Sequence, residues 1–493
     1  MFHRKKVVAK QKKFIKMPKV SVAAKEKEKE KPSAPVLRIS KTAGTPSLLR
    51  GMKDILPVEA PYWFWLRERA DALAKSFGYH FIETPILEPT ELFLRSVGRQ
   101  TDIIEKEMYH FVDPGGENVC LRPEATASIA RAYISHGMLN LPQPVKLFYY
   151  GPMFRHDRPQ AGRYRGFHQI GFEVFGDEHS VVDAELISLV YTFFKELGIA
   201  TTIQLNSIGC DNCRQNYKVN LQNYYRLKRS LICQTCKDRL TRNPMRLLDC
   251  KEIGCEAVKD GAPQMMDNLC EACHNHFFKV IEYLDALSLP YALDPYLVRG
   301  LDYYSRTVFE IWPQTPKNNP APTENPAVET PVKDDTLENN EEEVKGAPLA
   351  QGALAGGGRY DKLVEILGGR PTPGAGFALG MERVIRQLRA QNVEPPIKDI
   401  PQVFIAQLGE QAKCKALALF STLRGEIAAQ ACMSKDSLKA QLEIANRLGV
   451  HYVVIIGQKE VLDGTVIIRD MKSGTQETVV LDKMVEEVKK RLK

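Results

Sequence analysis

The sequence predicts an α+β fold, in which a large domain built on a mostly antiparallel sheet is followed by a small α/β domain. Before Pro401, strand-like segments follow one another without a helix between each pair, which favours antiparallel pairing. After Pro401, strands and helices alternate, and Pro395 and Pro396 mark a linker between the two regions. With 493 residues and 44% hydrophobic content, the chain has enough apolar material for two or three soluble domains.

The individual elements are predicted from hydrophobic periodicity. Residues 61–77 repeat apolar side chains at helical spacing, which predicts an amphipathic helix. Residues 145–150, 167–175 and 307–312 have strand character. In the small domain the pattern predicts strands at 403–408, 452–456 and 465–469, and helices at 412–423, at 437–448 and from Leu481 onward.

Residues 1–45 are predicted to be a basic disordered tail. Eight lysines and arginines and no acid occur in the first twenty residues, and an alternating KEKEKEK run follows at 25–31. Such a segment has too few large apolar groups to offset the entropy of ordering. A mitochondrial transit peptide is the weaker alternative, because such peptides avoid acids. The tail accounts for the net charge of +8, so any nucleic-acid surface elsewhere must be a local patch.

A second segment, residues 313–349, is predicted to be a disordered, solvated loop, since it holds seven prolines and eight acids. Strand character precedes it at 307–312, and apolar character resumes at 353–355. We therefore expect the loop to link paired strands within the large domain.

The composition also bounds the location of the protein. No stretch approaches the roughly 20 uncharged apolar residues that span a bilayer, and the N-terminus lacks the apolar core of a secretory signal. We expect a cytoplasmic protein, in which the eleven cysteines are thiols or metal ligands and not a disulfide framework.

A turn between two predicted strands is rich in arginine, which suits a polyphosphate because the planar guanidinium grips phosphate oxygens in two places. A solvated hairpin would show the same spacing. The strand that follows alternates Gln169, Gly171 and Glu173 on one face, where a packed sheet would carry apolar groups, and buried polar faces usually hold ligands. The arginines of the turn are Arg155, Arg158, Arg163 and Arg165.

Residues 151–173 strongly resemble motif 2 of class II aminoacyl-tRNA synthetases in its histidyl form. Five other segments resemble further motifs of that family, and six ordered matches are far more specific than any single one. The family implies a six-stranded, mostly antiparallel sheet flanked by helices. The five segments are an N-terminal signature (49–57, LRGMKDILP), motif 1 (83–89, ETPILEP), a substrate loop (121–126, LRPEAT), a histidine-specific signature (297–304, LVRGLDYY, followed by GGRYD at 357–361) and motif 3 (376–383, GFALGMER).

The resemblance implies ATP-dependent activation of histidine to histidyl-adenylate, followed by transfer to the 3′ end of tRNA(His). Arg155 would bind the α-phosphate of ATP, with Arg163 and Arg383 towards the other phosphates and Mg²⁺ as their counter-ion. Arg299 would lie by the histidine carboxylate and the α-phosphate, so that Arg155 and Arg299 are the expected catalytic residues. The other expected histidine-binding residues are Glu124, Thr126, Gln169, Glu173, Tyr303, Tyr304 and Tyr360.

The resemblance also implies macromolecular partners. Arg158 and Gln160 match positions that read the first base pair of the tRNA acceptor stem, and motif 1 implies a homodimer. The region from about residue 400 resembles the anticodon-binding domain shared by several class II synthetases. The expected domains are therefore a class II catalytic domain at 46–395 and an anticodon-binding domain at 400–493.

Residues 210–290 form a cysteine-rich insertion whose spacings suit structural zinc, since four thiolates leave no open position for chemistry. The spacing leaves open a crossed grouping, in which cysteines of the two sets combine, and it also leaves open reduced cysteines without metal. If zinc is present it should be structural, and the resemblance then implies that the insertion clamps the acceptor arm, as this region does in relatives. The first predicted set is Cys210, Cys213, Cys233 and Cys236, and the second is Cys250, Cys255, Cys270 and Cys273.

Two rival functions belong to other classes. Synthetase-like regulatory subunits of ATP phosphoribosyltransferase bind histidine as an effector, but they typically lack the anticodon domain and the arginine that stands here as Arg299. A tRNA-sensing module attached to a kinase is the other rival, and no kinase domain is present. The sequence therefore favours the catalytic interpretation.

Overall fold

The structure is a computed structural model that describes residues 47–98, 101–157, 163–314, 352–396 and 401–492. The predicted tail at 1–45, and the predicted loop at 313–349 apart from its first two residues, lie outside these ranges. Within them, no helix combines the length and the apolar character needed to cross a bilayer.

Sixteen strands are found in the described residues, and they form three sheets. They are β1 (His80–Phe81), β2 (Leu87–Pro89), β3 (His110–Val112), β4 (Asn118–Leu121), β5 (Val145–Phe154), β6 (Gly166–Phe175), β7 (Thr201–Ser207), β8 (Tyr291–Leu293), β9 (Ser305–Pro313), β10 (Ala355–Arg359), β11 (Gly374–Gly380), β12 (Val403–Gln407), β13 (Ala429–Ala431), β14 (Tyr452–Ile456), β15 (Thr465–Asp470) and β16 (Gln476–Val480).

Fourteen α-helices accompany these strands in the same part of the chain. They are α1 (Ala60–Phe77), α2 (Thr90–Ser96), α3 (Thr126–Ser135), α4 (Ser180–Glu196), α5 (Asp211–Leu227), α6 (Gln234–Arg242), α7 (Ile253–Lys259), α8 (Glu271–Ala286), α9 (Leu363–Ile366), α10 (Met381–Ala390), α11 (Glu410–Leu423), α12 (Leu438–Leu448), α13 (Gln458–Asp463) and α14 (Met484–Leu492).

The largest sheet has the order β1-β5-β6-β11-β10-β9-β7-β8. Its six central strands are antiparallel to their neighbours, which confirms the predicted mostly antiparallel sheet. Two short edge strands, β1 and β8, pair parallel with β5 and β7 and bring the total to eight. The expected six strands are therefore the core of a slightly wider sheet.

The two faces of this sheet have different roles, as the alternation in β6 shows. Ile170, Phe172 and Val174 point to one face and join a hydrophobic core with residues of α1, α4, α8 and α10. Gln169 and Glu173 have the opposite parity in the strand and so point to the other face. These four helices thus cover one face, and the polar residues of β6 point to the other.

Strands β9 and β10 flank the predicted loop and pair with each other, with Ile311 opposite Ala355. This confirms that the intervening segment links paired strands. The cysteine-rich insertion occupies the connection between β7 and β8, which are parallel. Parallel neighbours need a long crossover, and helices α5 to α8 supply it.

A separate five-stranded sheet, in the order β13-β12-β14-β15-β16, forms after Pro401. Val403 and Ile405 of β12 pack towards α11 and α14, whereas Phe404 and Ala406 pack towards α12. Because both faces are covered, the strand is a continuous apolar run. The predicted strands and helices of this region are present; the short β13, α13 and β16 were not predicted, and the closing helix begins at Met484 after a 3₁₀ turn at Leu481–Lys483.

Candidate active site

On the polar face of the large sheet, glycines at two positions make room for side chains of neighbouring strands, and the group of buried carboxyls and phenols found there forms the candidate pocket. Gly376 of β11 lies opposite Glu173, and a Cβ atom there would stand 1.8 Å from the Glu173 Oε2 atom. Gly171 lies opposite Tyr149, and its Cβ would stand 2.4 Å from the Tyr149 hydroxyl. The space that these glycines leave is filled by a carboxyl and a phenol, which makes this face polar.

Glu124 is held at the start of helix α3 by backbone donors. Its carboxylate accepts hydrogen bonds from the N–H groups of Thr126 (2.8 Å) and Ala127 (2.9 Å), and the Tyr303 hydroxyl lies 3.3 Å from it. Burial raises the pKa of Glu124, while the two backbone hydrogen bonds and the charge of Arg155 oppose that rise. The side chain is therefore fixed before any substrate arrives.

Glu173 is the second buried carboxyl of the pocket. It accepts a hydrogen bond of 2.7 Å from the Thr126 hydroxyl and another from the Tyr360 hydroxyl. Burial raises its pKa to about 8, against the two hydrogen bonds, and nearby Glu124 adds to the rise. Burial thus favours the protonated form of Glu173, which can both donate and accept a hydrogen bond.

Three tyrosines form one wall of this pocket. The ring centroids of Tyr303 and Tyr304 are 4.8 Å apart, and Tyr360 lies 5.7 Å from Tyr303. All three rings are buried, and burial raises the pKa of each phenol, so the hydroxyl groups stay protonated. The structure thus gathers the predicted histidine-binding carboxyls and phenols in one place.

The predicted phosphate-binding arginines lie beside this pocket. Arg155 donates through Nε to the Pro123 carbonyl (2.8 Å) and stacks over Phe167. Arg383 donates through Nη1 to the Ala353 carbonyl (2.8 Å). Burial lowers the pKa of Arg383, and the charges of Arg163 and Arg155 lower it further. The arginines are therefore close enough to repel one another, which is the arrangement that a polyanion relieves.

Arg299 lies between the two groups. It forms an ion pair with Glu310 of β9, and the lack of a side chain at Gly356 makes room for its guanidinium, since a Cβ there would stand 2.3 Å from Arg299 Nη1. Its Nε atom, like the Oε1 atom of Gln169, is buried without a partner among the described residues. Buried polar atoms without partners point to a ligand.

Comparison with known proteins identifies the chain. The family model for "Histidyl-tRNA synthetase" matches residues 51–210, and the model for "Anticodon binding domain" matches residues 402–491. A histidine–tRNA ligase from Dehalococcoides mccartyi is 44% identical over 445 residues, which are 90% of this chain and 99% of the relative. The chain belongs to the histidyl-tRNA synthetase family.

Solved structures agree with this membership. The apo histidyl-tRNA synthetase from S. aureus is 34% identical and has a TM-score of 0.70, with 90% of this chain and 100% of that chain covered. A Bacillus halodurans structure described as an ATP phosphoribosyltransferase regulatory subunit/histidyl-tRNA synthetase has 20% identity and a TM-score of 0.56, with 84% of this chain and 99% of that chain covered. The second likeness shows a shared fold alone.

The structure of this histidyl-tRNA synthetase family member also adds residues that the sequence did not single out. Glu310, which pairs with Arg299, also accepts a 3.1 Å hydrogen bond from the Trp312 indole. The sequence signal for Glu310 was that it is the lone acid within the apolar strand predicted at 307–312. Glu382 holds both the N–H and the ring nitrogen Nδ1 of His168. Arg158 and Gln160 lie outside the described residues.

The eight cysteines of the insertion gather into two sets of four that differ from the order predicted. The sulfur atoms of each set lie within 4.8 Å of one another, so each set could hold a metal ion. The outer cysteine set is Cys210, Cys213, Cys270 and Cys273, and the inner cysteine set is Cys233, Cys236, Cys250 and Cys255.

The sequential grouping was therefore wrong, and the crossed grouping that the spacing left open is the one found. The reason lies in the tertiary structure: the first turns of α5 and α8 lie together, with Cys210 Sγ 4.0 Å from Cys270 Sγ, although about sixty residues separate them in the chain. The backbone also donates a hydrogen bond within the outer set, from Cys270 N to Cys213 Sγ at 3.1 Å. Burial raises the pKa of Cys210, but hydrogen bonds from Cys213 and Asn212 outweigh it and lower this pKa to about 7.

Proposed function

We propose that this chain is a histidine–tRNA ligase, which activates histidine with ATP to histidyl-adenylate and diphosphate and then transfers the histidyl group to the 3′ end of tRNA(His). The observation that carries the proposal is the junction of two sites. A buried pocket of carboxyls and phenols adjoins a cluster of arginines, and Arg299 lies between them. An amino acid and a triphosphate that react with each other need such a junction.

The pocket suits histidine because a neutral imidazole offers one donor and one acceptor. Glu173 and Tyr304 would hydrogen-bond to the two ring nitrogens, with Tyr303 and Tyr360 as the surrounding wall. Glu124, Thr126 and Gln169 would hold the amino and carboxyl groups; the unpartnered Oε1 of Gln169 is a ready acceptor for the ammonium. Loss of one partner would leave a buried polar group unsatisfied, which makes the pocket selective.

The arginines suit the activation step. The histidine carboxylate attacks the α-phosphorus of ATP, diphosphate leaves, and negative charge grows on the phosphate oxygens. Arg155 would stabilise the α-phosphate and Arg299 the reacting oxygens, while Arg163 and Arg383 would bind the β- and γ-phosphates. Magnesium would accompany ATP as part of the substrate and would neutralise phosphate charge. A ribose hydroxyl of tRNA then attacks the adenylate carbonyl, and AMP leaves, so no side chain serves as a covalent nucleophile.

The partners follow from the same reasoning. Arg158 and Gln160 would read the first base pair of the acceptor stem, and residues 400–493 would form the anticodon-binding domain beside a catalytic domain at 46–395. A homodimer is supported by apolar side chains that a single chain leaves exposed around motif 1 and the small sheet of β2, β3 and β4, since such patches mark interfaces. These side chains are Phe81, Ile86, Leu87, Phe111 and Val112.

We also propose that each cysteine set binds a structural zinc ion. A tetrahedral site with Zn–S bonds of about 2.3 Å has sulfur atoms about 3.8 Å apart. The sulfur distances Cys210–Cys213 (3.6 Å), Cys210–Cys270 (4.0 Å) and Cys233–Cys250 (3.9 Å) fit that value. Such thiol sites are maintained in a reducing compartment, which supports a cytoplasmic location.

The experiment that tests the function is histidine-dependent exchange of labelled diphosphate into ATP, followed by charging of tRNA(His). We expect exchange that requires histidine and falls about 1000-fold in Arg299→Ala. Arg226→Ala is the matched control, because Arg226 is an exposed arginine on α5 outside the pocket. Histidine binding without any exchange would support the rival role, a regulatory subunit of ATP phosphoribosyltransferase, and would overturn the proposal.

A further inference from the structure

We propose that a zinc ion in the outer cysteine set positions the tyrosines of the histidine pocket, so that occupancy of this metal site sets the affinity for histidine. The proposal rests on the proposed function, because it concerns the same pocket. It goes beyond a structural zinc, since it assigns the two metal sites different effects on the reaction.

The outer set ties together the first turns of two helices. Cys210 precedes the first residue of α5, and Cys270 precedes the first residue of α8. Gly209, at φ +63°, brings the chain against this site, since a Cβ there would stand 2.5 Å from the Cys213 Cβ. A metal ion at this point fixes the starting positions of both helices relative to β7 and β9.

From α5, direct contacts lead to Tyr304. Arg214 follows Cys213 in the chain, and its guanidinium donates to the Tyr304 carbonyl and, at 3.4 Å, to the Asp302 carbonyl. The backbone on either side is also paired: Ile208 N donates to Arg306 O (2.7 Å), and Arg306 N donates to Gly209 O (2.9 Å). The segment that carries Tyr304 is therefore fastened to the segment that carries the outer set.

From α8, a buried chain of polar groups leads to Tyr360. His276, one turn beyond Cys273, lies 2.8 Å from the Asp183 carboxylate, which in turn accepts a 2.6 Å hydrogen bond from Arg359. Arg359 is completely buried and directly precedes Tyr360. These partners leave the backbone at Tyr360 little freedom, and Tyr360 donates to Glu173 in the pocket.

The segment that carries the histidine-specific signature, residues 297–304 (the signature loop), depends on such tethers because it does not pack tightly on α5. Val298 and Leu301 of the loop and Lys218 of α5 line a cavity of about 300 Å³ that lies between them. The region of the inner set, by contrast, reaches the loop through a side chain outside the pocket: Asn243, which directly follows α6, donates to the Asp302 carboxylate (3.0 Å). The two metal sites should therefore differ in their effect on the KM for histidine.

The test compares one cysteine from each set, with zinc content and substrate KM as separate readouts. The purified wild-type chain should contain two zinc ions, and Cys270→Ser and Cys250→Ser should contain one each. We expect Cys270→Ser to raise the KM for histidine about tenfold while the KM for ATP changes less than about twofold, the size that losing a supporting group commonly has. Cys250→Ser should leave both KM values within about twofold.

Two arginine variants test the route from metal to pocket without touching the metal. Arg214→Met should keep both zinc ions and still raise the KM for histidine, and Arg214→Lys, which can donate to the Tyr304 carbonyl, should restore it in part. These variants also decide the proposal if Cys270→Ser does not fold.

Each contrary result overturns a defined part. Wild-type protein that contains no zinc would rule out the metal site. An unchanged KM for histidine in Cys270→Ser or Arg214→Met would rule out the positioning role. An equal rise of the KM for histidine in Cys250→Ser would rule out a difference between the two cysteine sets. Failure of the proposed function would look different, because wild-type protein would then show no histidine-dependent exchange at all.

Discussion

The two ends of the proposed active site, one for histidine and one for phosphate, are built on opposite principles. At the histidine end, Glu124 and Glu173 are almost fully buried, and the protein itself supplies their hydrogen-bond donors. At the phosphate end, arginines lie near one another, and burial together with their mutual repulsion lowers the pKa of Arg383. The carboxyls of the first end have hydrogen-bond partners before substrate binds, whereas the arginines of the second would be relieved by an anion.

This difference would allow one site to bind the two unlike substrates that we propose for it. Selectivity for an amino acid side chain needs fixed partners at fixed positions, which a packed and hydrogen-bonded pocket provides. Charge stabilisation in phosphoryl chemistry needs oriented cations whose partner arrives with the substrate. The following predictions test whether the two ends differ in this way.

The largest effect should come from filling the histidine end. Gly376→Ala would place a Cβ 1.8 Å from Glu173 Oε2 and 2.6 Å from the Phe172 carbonyl, so strand, carboxyl or both must move. We expect the free energy of unfolding to fall by about 3 kcal/mol or more, measured by urea denaturation. Gly380→Ala, on the same strand at the phosphate end, meets Arg383 only at 3.8 Å and should be nearly neutral. Equal losses in both variants would contradict the comparison.

A smaller effect should follow from removing cations at the phosphate end. Arg383→Met should raise the KM for ATP about 100-fold and leave the KM for histidine within about twofold, measured in the exchange reaction. Arg163→Met should raise the KM for ATP about tenfold or less, since this side chain is 46% exposed and already paired with Asp157. A comparable rise in the KM for histidine would show that the two ends are not independent.

The smallest effect concerns pH. Because the pKa of Glu173 is raised from 4.5 to about 8, the folded protein keeps a proton that the unfolded chain releases. The stability that this proton contributes is present at low pH and is lost as the pH rises through about 8. The free energy of unfolding of the wild type, relative to Glu173→Gln, should therefore decline between pH 5 and 8.5 with a slope of at most about 1.4 kcal/mol per pH unit. A difference that does not change with pH would mean that Glu173 is already ionised in the folded protein.

The sequence by itself was sufficient wherever the signal is local. Period-two alternation located β6 and placed Gln169 and Glu173 on its polar face, and apolar runs located β12 and β14. The ordered motifs led to the family, and with it to the residues that the structure gathers in the pocket. The edge strands β1 and β8 were missed because strands of two or three residues carry no periodicity.

The tertiary structure alone decided what depends on distant segments meeting. The spacing of cysteines could not choose between sequential and crossed sets, since the choice follows from α5 and α8 beginning side by side. The pairing of Arg299 with Glu310, and the raised pKa of Glu173, likewise depend on which side chains are buried against which. Local sequence determines the kind of element and the residue types that it presents, but burial and partnership are properties of the packed chain.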